Sequence, residues 1–374
     1  MLDLIVVGGG PVGASLARAA RGLSVALVAQ QPPAPAEGLD ARVYALSPGN
    51  VAFLRELGAW QALPQHRLAP VHSMRVHGED AALEFDAYEA GVPELAWIVE
   101  DALLQDALWR GLESHVVAQC ASLRIEEERA VLGLRDGTAL SAKLVVGADG
   151  ARSFVREQAG IALAERDYGQ SAVVANFRCG KPQAGVAWQW FAGGAVLALL
   201  PLPHGHVSMV WSVSTAHSER ILALEDEALC REVEEASHRA LGELQLVTPA
   251  RSYPLRRLSA ARLVAPRVAL AGDAGHVIHP LAGQGLNLGL QDVRTLADVI
   301  NSREPFRDPG ELRLLRRYER RRAEPILAMD TMVDSLFRLF AADTRPAARL
   351  RESALNLTDR LPVLKNMLMR HAMT

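Results

Sequence analysis

The chain has 374 residues, 49% hydrophobic and 22% charged, with a formal net charge of −3. That is long for one compact core, so two globular domains are the starting expectation. The near-neutral balance excludes a dedicated nucleic-acid binder, which must neutralise phosphates, and Cys120, Cys179 and Cys230, with no C-x-x-C pair, exclude a disulfide framework and a zinc site. No metal ligand set is expected. The start, MLDLIVVGGG, has no basic region or cleavage site, and the apolar run 195–200 is far short of the roughly 20 residues that span a bilayer, so a cytoplasmic protein is expected.

Residues 4–7 form an apolar run that reads as a buried parallel strand. Gly8, Gly10 and Gly13 follow in the spacing G-x-G-x-x-G, then small and apolar residues at helical spacing over 14–20, then a second strand over 24–28. In that context the glycines allow a tight turn and close approach of a dinucleotide pyrophosphate to the helix N-terminus. An acid is expected at the end of the second strand to hold the adenosine ribose, but Ala29 stands there, followed by Gln30 and Gln31. The amide of Gln30 offers a hydroxyl a hydrogen bond without charge assistance. A proline-rich linker covers 32–38, and DARVYALS (40–47) leads into an amphipathic helix over 50–57. Arg42 is equally readable as a cofactor clamp or as a salt-bridge partner of an acid such as Asp40.

Residues 74–85 read as a hairpin around Gly78, and 98–112 as a helix with Glu100 and Asp101 in its first turn. Strands are expected over 124–134 and 139–146. In VVGADGARSFVR (145–156) a strand ends at Gly147, and Asp149, Ser153 and Arg156 follow. Asp149 is suited to a ligand hydroxyl or the first glycine loop, with an ordinary helix cap as the competing reading. From 171 to 214 the pattern is β, and its Trp188, Trp190 and Trp211 read as core before they read as a ligand wall. Residues 218–241 read as one acidic amphipathic helix and 251–255 as a strand returning to the first domain. The β region is thus an insertion, which places a cleft between two units.

Residues 267–293, RVALAGDAGHVIHPLAGQGLNLGLQDV, bring an apolar run to Gly272-Asp273, then a loop with Pro280 and Gly283, and then a helix opening at Gly285. A carboxylate at a strand end beside a glycine-lined helix start suits a polyol and an anionic ring. His276 and His279 are acid–base candidates on spacing alone, against the preferred reading of loop clamps. Arg313, Arg316, Arg317, Arg320, Arg321 and Arg322 crowd a helix expected to end at Pro325. They suit anionic lipid or, as preferred, a solvated face paired with Glu311, Glu319 and Glu324. Residues 326–340 are apolar at helical spacing and read as core; the Met-rich 361–373 stretch reads as a surface contact.

The three ordered motifs, GGGPVG (8–13), GADGARSFVRE (147–157) and ALAGDAGHVIHPLAGQGLNLG (269–289), resemble the single-component FAD-dependent aromatic hydroxylases of the para-hydroxybenzoate hydroxylase fold. Asp149, Gly150, Ser153 and Arg156 meet the family pattern D-G-x-x-S-x-x-R. The third motif, with 40–47 and IVEDALLQDALW (98–109), is similar more narrowly to the ubiquinone-biosynthesis hydroxylases. Ala29 departs from that pattern, and so does Gly275, where the family has alanine.

The resemblance implies an α/β architecture: a Rossmann-like FAD-binding domain (1–70, 96–165 and 263–325), an inserted mainly antiparallel β-sheet substrate domain (71–95 and 166–262) and a helical C-terminus (326–374). It implies FAD held by Gly8, Gly10 and Gly13 at the pyrophosphate, by Gln30, Arg42 and Asp149, by Asp273 at the ribityl chain, and by Pro280, Gly283, Gln284, Gly285, Leu286 and Asn287 along the flavin ring. It implies NAD(P)H as electron donor, O2 as co-substrate, and hydroxylation of a phenol or prenylated phenol through a flavin C4a-hydroperoxide. A lipid double-bond reductase of the same fold and a non-catalytic subunit of a biosynthetic assembly are the competing readings. A peripheral contact with the inner membrane or a biosynthetic complex through the C-terminal segment, and a homo-oligomer, stay open.

Overall fold

The computed structural model describes residues 1–34, 38–78, 82–279 and 283–341, with side chains described as far as residue 335. The chain opens as the middle strand of a mostly parallel sheet. Leu2–Val7 runs between Val25–Ala29 and Ala139–Gly147, with Val268–Leu270 beyond one neighbour and His115–Val117 beyond the other, all parallel. Their apolar runs are buried because helices cover the sheet. The helices Pro11–Ala19 and Gly285–Asn301, joined by Leu312–Ala341, bury Leu16, Val293, Leu296, Leu314, Leu315 and Tyr318 against one face. Cys120–Ile125 and Ala130–Leu134 add an antiparallel flank.

Register fixes what this sheet presents. Val7 pairs with Gly147, and Gly147 pairs with Leu270. The residues that follow these three, Gly8, Ala148 and Ala271, therefore leave the sheet side by side at the carboxyl ends of adjacent parallel strands, where open α/β sheets bind ligands.

A second sheet of nine strands is antiparallel apart from the pairing of Val186–Ala192 with Ser73–His77. Its longest strand is Leu163–Cys179, flanked by Arg251–Ala260 and His206–Ser214. One face buries Trp190, Trp211, Phe177 and Met209 against the helices Thr215–Leu222 and Asp226–Ala236, so those tryptophans are core. The other face looks toward the carboxyl ends of the first sheet. A small third sheet, Val43–Leu46, Ala96–Glu100 and Ala69–Val71, joins the two.

Tertiary pairing changes several sequence expectations. The helix expected from 98 begins at Asp101, because Ile98, Val99 and Glu100 are drawn into the strand Ala96–Glu100. The strand expected over 124–134 is a hairpin, and the helix expected over 218–241 is two helices. The strand expected at 251–255 runs on to Ala260 in the second sheet, where it meets His276–Val277. Pro325 does not end a helix. It lies inside Leu312–Ala341, which is continuous across the expected boundary at 325/326. Proline removes one intrahelical bond, but this helix is packed on both sides of it, by Tyr318 and by Met329 and Val333. The 361–373 stretch lies outside the described residues.

Gly13 packs against the first strand's end: a Cβ there would lie 1.9 Å from the carbonyl oxygen of Gly8. Gly13→Ala is expected to lower stability by about 1–3 kcal/mol through forced separation of strand and helix. Denaturant unfolding of the purified variant measures this, and an unchanged midpoint would refute the close-packing role.

Candidate functional site

One cavity of about 1610 Å³ lies where the three glycine motifs face the second sheet. Ordinary ligand pockets are about 300–1,000 Å³, so this one has room for a dinucleotide and a second molecule together. Its walls divide by chemistry. On one side are Gly8, Gly10, Asp149, Asp273 and the start of the Gly285–Asn301 helix. On the other, Val76, Gln189, Ala198, Val210 and Val174 are successive cross-strand neighbours in one row of the second sheet, and Met74, Phe85, Ala187 and Phe191 flank that row. The floor is apolar, with a single amide in its central row.

Two helix N-termini open on the polar side. The helices beginning at Pro11 and at Gly285 have no capping side-chain hydrogen bond and no acid in the first turn. Their unpaired N–H groups and positive dipole ends suit a pyrophosphate and an anionic ring oxygen. Gly8 adopts φ +116°, and a Cβ there would lie 2.1 Å from the carbonyl oxygen of Ala148, so only glycine lets the first and second motifs touch. These features fit FAD.

Each named side chain is held by identifiable partners. Asp149 Oδ1 accepts from Ser153 Oγ at 2.5 Å and Oδ2 from the Val155 N–H at 3.1 Å, while Ser153 caps the helix Phe154–Gln158. The cap reading is therefore present, and Asp149 lines the cavity as well. Burial pushes its pKa up against those hydrogen bonds. Asp273 also points into the cavity, and burial raises its pKa while His276 and Arg42 pull it down. Arg42 lies 5.4 Å from the Tyr44 ring centroid and 3.7 Å from Asp101, not on the Asp40 carboxylate, and its half-exposed side chain lines the cavity. Asp40 instead ties the loop down: its carboxylate accepts from the N–H groups of Arg42 and Ala102, and its own N–H donates to the fully buried Glu100, which forms a bidentate pair with Arg67. Tyr44 bonds Asp101, and burial lifts its pKa far above the ordinary phenol value, so it stays protonated.

Gln30, Gly283, Gln284, Gly285, Leu286 and Asn287 line the cavity too. Asn287 does more than the backbone contact expected of it. Its Oδ1 accepts from Ser47 N–H, and its Nδ2 donates to the Ala45 carbonyl at 2.8 Å, which stitches the helix start to the small sheet. Gly13 does not line the cavity; it sets the close packing of the helix start on Gly8. Pro280 lies outside the described residues. Ala29 lines the cavity, buried beside Gly9, whose carbonyl accepts from the Trp109 indole at 2.7 Å. Gly275 has a local reason, since a Cβ there would lie 2.7 Å from the Leu263 side chain.

The two histidines take the structural positions that the loop-clamp reading expects. Neither lines the cavity. His276 is buried and its Nε2 lies 2.6 Å from Asp292 Oδ2. His279 is buried edge-on to Tyr168, 4.8 Å between centroids, and burial lowers its pKa to about 4.

Asp292 is a residue that sequence reasoning missed. It is fully buried, accepts from Gly272 N–H at 2.9 Å and His276 Nε2 through Oδ2, and accepts from Arg322 Nε at 2.7 Å through Oδ1. An acid on the apolar face of 285–301, beside Leu288, Val293 and Leu296, was the available signal. Burial works to raise its pKa, but His276, Arg322 and the Gly272 N–H outweigh that and hold it low. Asp292→Asn leaves a buried Arg322 without its counter-charge and is expected to cost about 3–5 kcal/mol, read from chemical denaturation. Because the folded pKa lies below the unfolded one, the wild-type contribution is full above the ordinary carboxylate range and is lost as pH falls through the folded value. The Asn variant should show a flatter acid limb; a parallel limb would contradict this assignment.

Restoring an acid at the strand end tests the departure at Ala29. Ala29→Glu should tighten FAD about tenfold by adding a charge-assisted bond to the ribose, measured by titration of cofactor into stripped protein. Unchanged affinity would show that the adenosine half is held elsewhere.

Comparison with known proteins agrees with this geometry. The family model described as FAD binding domain matches residues 1–331. The chain is 35% identical to the 3-demethoxyubiquinol 3-hydroxylase of Escherichia coli, over 99% of this chain and 98% of that protein. It is 36% identical to the ubiquinone hydroxylase UbiL of Rhodospirillum rubrum, over 99% and 89%. Among solved structures, HpxO of Klebsiella pneumoniae complexed with FAD and uric acid superposes with a TM-score of 0.79 at 18% identity, covering 99% of this chain and 97% of that one, which is a likeness of fold.

Proposed function

The chain belongs to the FAD-dependent monooxygenases, among the ubiquinone-biosynthesis hydroxylases, and on that premise we propose that it hydroxylates the aromatic ring of a prenylated phenol intermediate of ubiquinone synthesis. The observation that carries the reading is the cavity in which two uncapped helix N-termini and Asp273 face an apolar sheet floor. NAD(P)H is the proposed electron donor, on the resemblance of the Asp149–Arg156 motif. The proposal also assigns residues 1–70, 96–165 and 263–325 to the cofactor and 71–95 and 166–262 to the substrate.

Bound FAD supplies the redox chemistry, carrying reducing equivalents and activating dioxygen so that one oxygen atom reaches the ring. The protein supplies position and electrostatics. Gly8 and Gly10 would let the backbone at the start of the Pro11–Ala19 helix approach the pyrophosphate, Asp273 would accept from the ribityl hydroxyls, and the N–H groups from Gly285 onward would stabilise negative charge on the flavin ring. Arg42, poised between Asp101 and the cavity, adds a positive charge near the phosphates. The row from Val76 to Val174 packs the flat face of the phenol and excludes water from the reacting atoms. The wall from Met74 and Phe85 to Leu255, Ile278 and Met332 extends that apolar surface and receives the prenyl tail. No histidine lines the cavity among the described residues, so the phenol must be oriented by shape and by Gln189 rather than by an imidazole base.

The reading predicts that the prenylated phenol accelerates NAD(P)H oxidation by the FAD-loaded chain and yields one hydroxylated ring per NAD(P)H consumed. Product analysis alongside nicotinamide absorbance measures both. NAD(P)H oxidation that is indifferent to the phenol, or a product gaining hydrogen at a tail double bond, would overturn it. In a strain lacking this chain, the quinone intermediate that accumulates should lack one ring hydroxyl.

A further inference from the structure

The helix Leu312–Ala341 carries a feature that the hydroxylation chemistry does not use. Its inner face is core, with Leu314, Leu315, Tyr318 and Arg322 buried. On its outer face Arg313, Arg316 and Arg320 are exposed at spacings of three and four residues, and Leu327, 64% exposed, continues the same line. The acids expected to neutralise this stripe are engaged elsewhere. Glu311 pairs with Arg307, Glu304 with Arg307 and Arg317, and Glu319 Oε1 accepts from the Leu263 N–H. Glu324 is exposed one turn beyond Arg320, and among the described residues none of the three arginines has a carboxylate within ion-pair distance. The whole chain has a formal net charge of −3, so this positive face is local and not a general property of the surface. No helix among the described residues is long and apolar enough to cross a membrane.

The same helix reaches the cavity. Met332 lines its apolar wall, and Met329 and Val333 pack with Ile278 and Phe191. At about 1.5 Å per residue, Arg320 and Met332 are separated by about 18 Å along the axis, less than the thickness of one bilayer. We propose that the outer face of this helix docks on an anionic phospholipid surface, with Arg313, Arg316 and Arg320 on the headgroups and Leu327 entering the interface, which sets the apolar end of the cavity near the bilayer. The substrate side of this inference rests on the reading of a prenylated, membrane-dissolved phenol; the docking side rests on charge complementarity and exposure alone.

Flotation of the FAD-loaded full chain with phosphatidylglycerol vesicles, and separately with phosphatidylcholine vesicles, tests it. The chain should float with phosphatidylglycerol and not with phosphatidylcholine, and added salt should release it. The triple variant Arg313→Gln, Arg316→Gln, Arg320→Gln should partition on the order of 100-fold less, while the triple lysine variant should stay near wild type. Flavin absorbance confirms that each variant is folded. Wild-type flotation by the glutamine variant, or no preference for phosphatidylglycerol, would overturn the proposal. So would capture by soluble polyglutamate without flotation, which would assign the stripe to an acidic protein. Turnover of a short-tailed, water-soluble phenol should be the same in wild type and variant. Flotation without any hydroxylated product would leave docking intact and remove the hydroxylase reading instead.

Discussion

The site depends on one buried carboxylate. Asp292 holds the Gly272 N–H, His276 and Arg322 at once, and these belong to the turn that presents Asp273, to the short strand His276–Val277, and to the long outer helix. A fully buried acid is costly unless its charge and lone pairs are matched, and here three donors match it. Breaking the set leaves a cation inside the protein, so the three segments are constrained to one relative arrangement. The Asp273 carboxylate inherits its position from that constraint, because the residue before it is the one whose N–H is fixed.

The second constraint is register. Three motifs more than a hundred residues apart meet because Val7, Gly147 and Leu270 are neighbours in one row of a parallel sheet. The glycines then let backbones touch where side chains would collide, as the contact between Gly8 and Ala148 shows. Facing them, the second sheet offers alternation: one face packs tryptophans and aliphatics under helices, and the other gives a flat apolar floor.

Much of this was legible in the sequence because the information is local. The strand–glycine–helix signature at 4–20, the strand end at Gly147 and the Gly272-Asp273 turn are set by neighbours in the chain. What was not legible is set by distant partners. Ile98, Val99 and Glu100 carry a helical pattern but are claimed by a three-stranded sheet. Pro325 reads as a stop, yet packing on either side keeps the helix going. His276 and His279 read as loop clamps before they read as acid–base groups, but their partners, Asp292 for one and the Tyr168 ring edge for the other, come from distant segments and had no sequence signature. Asp292 and Arg322 announce themselves as charges on apolar faces, but their pairing across two helices has no sequence signature. The arginine stripe was expected to be paired, and only the engagement of Glu304, Glu311 and Glu319 elsewhere leaves it open.

The cavity would hold FAD at the carboxyl ends of the first sheet and a phenol ring on the second, and the cofactor would supply the oxygen chemistry there. The origin of the new oxygen atom tests this most directly. Turnover of the FAD-loaded chain under isotopically heavy dioxygen in ordinary water should give a product that carries one heavy oxygen on the aromatic ring. A product whose new oxygen comes from water, or one that has gained hydrogen and no oxygen, would contradict the account.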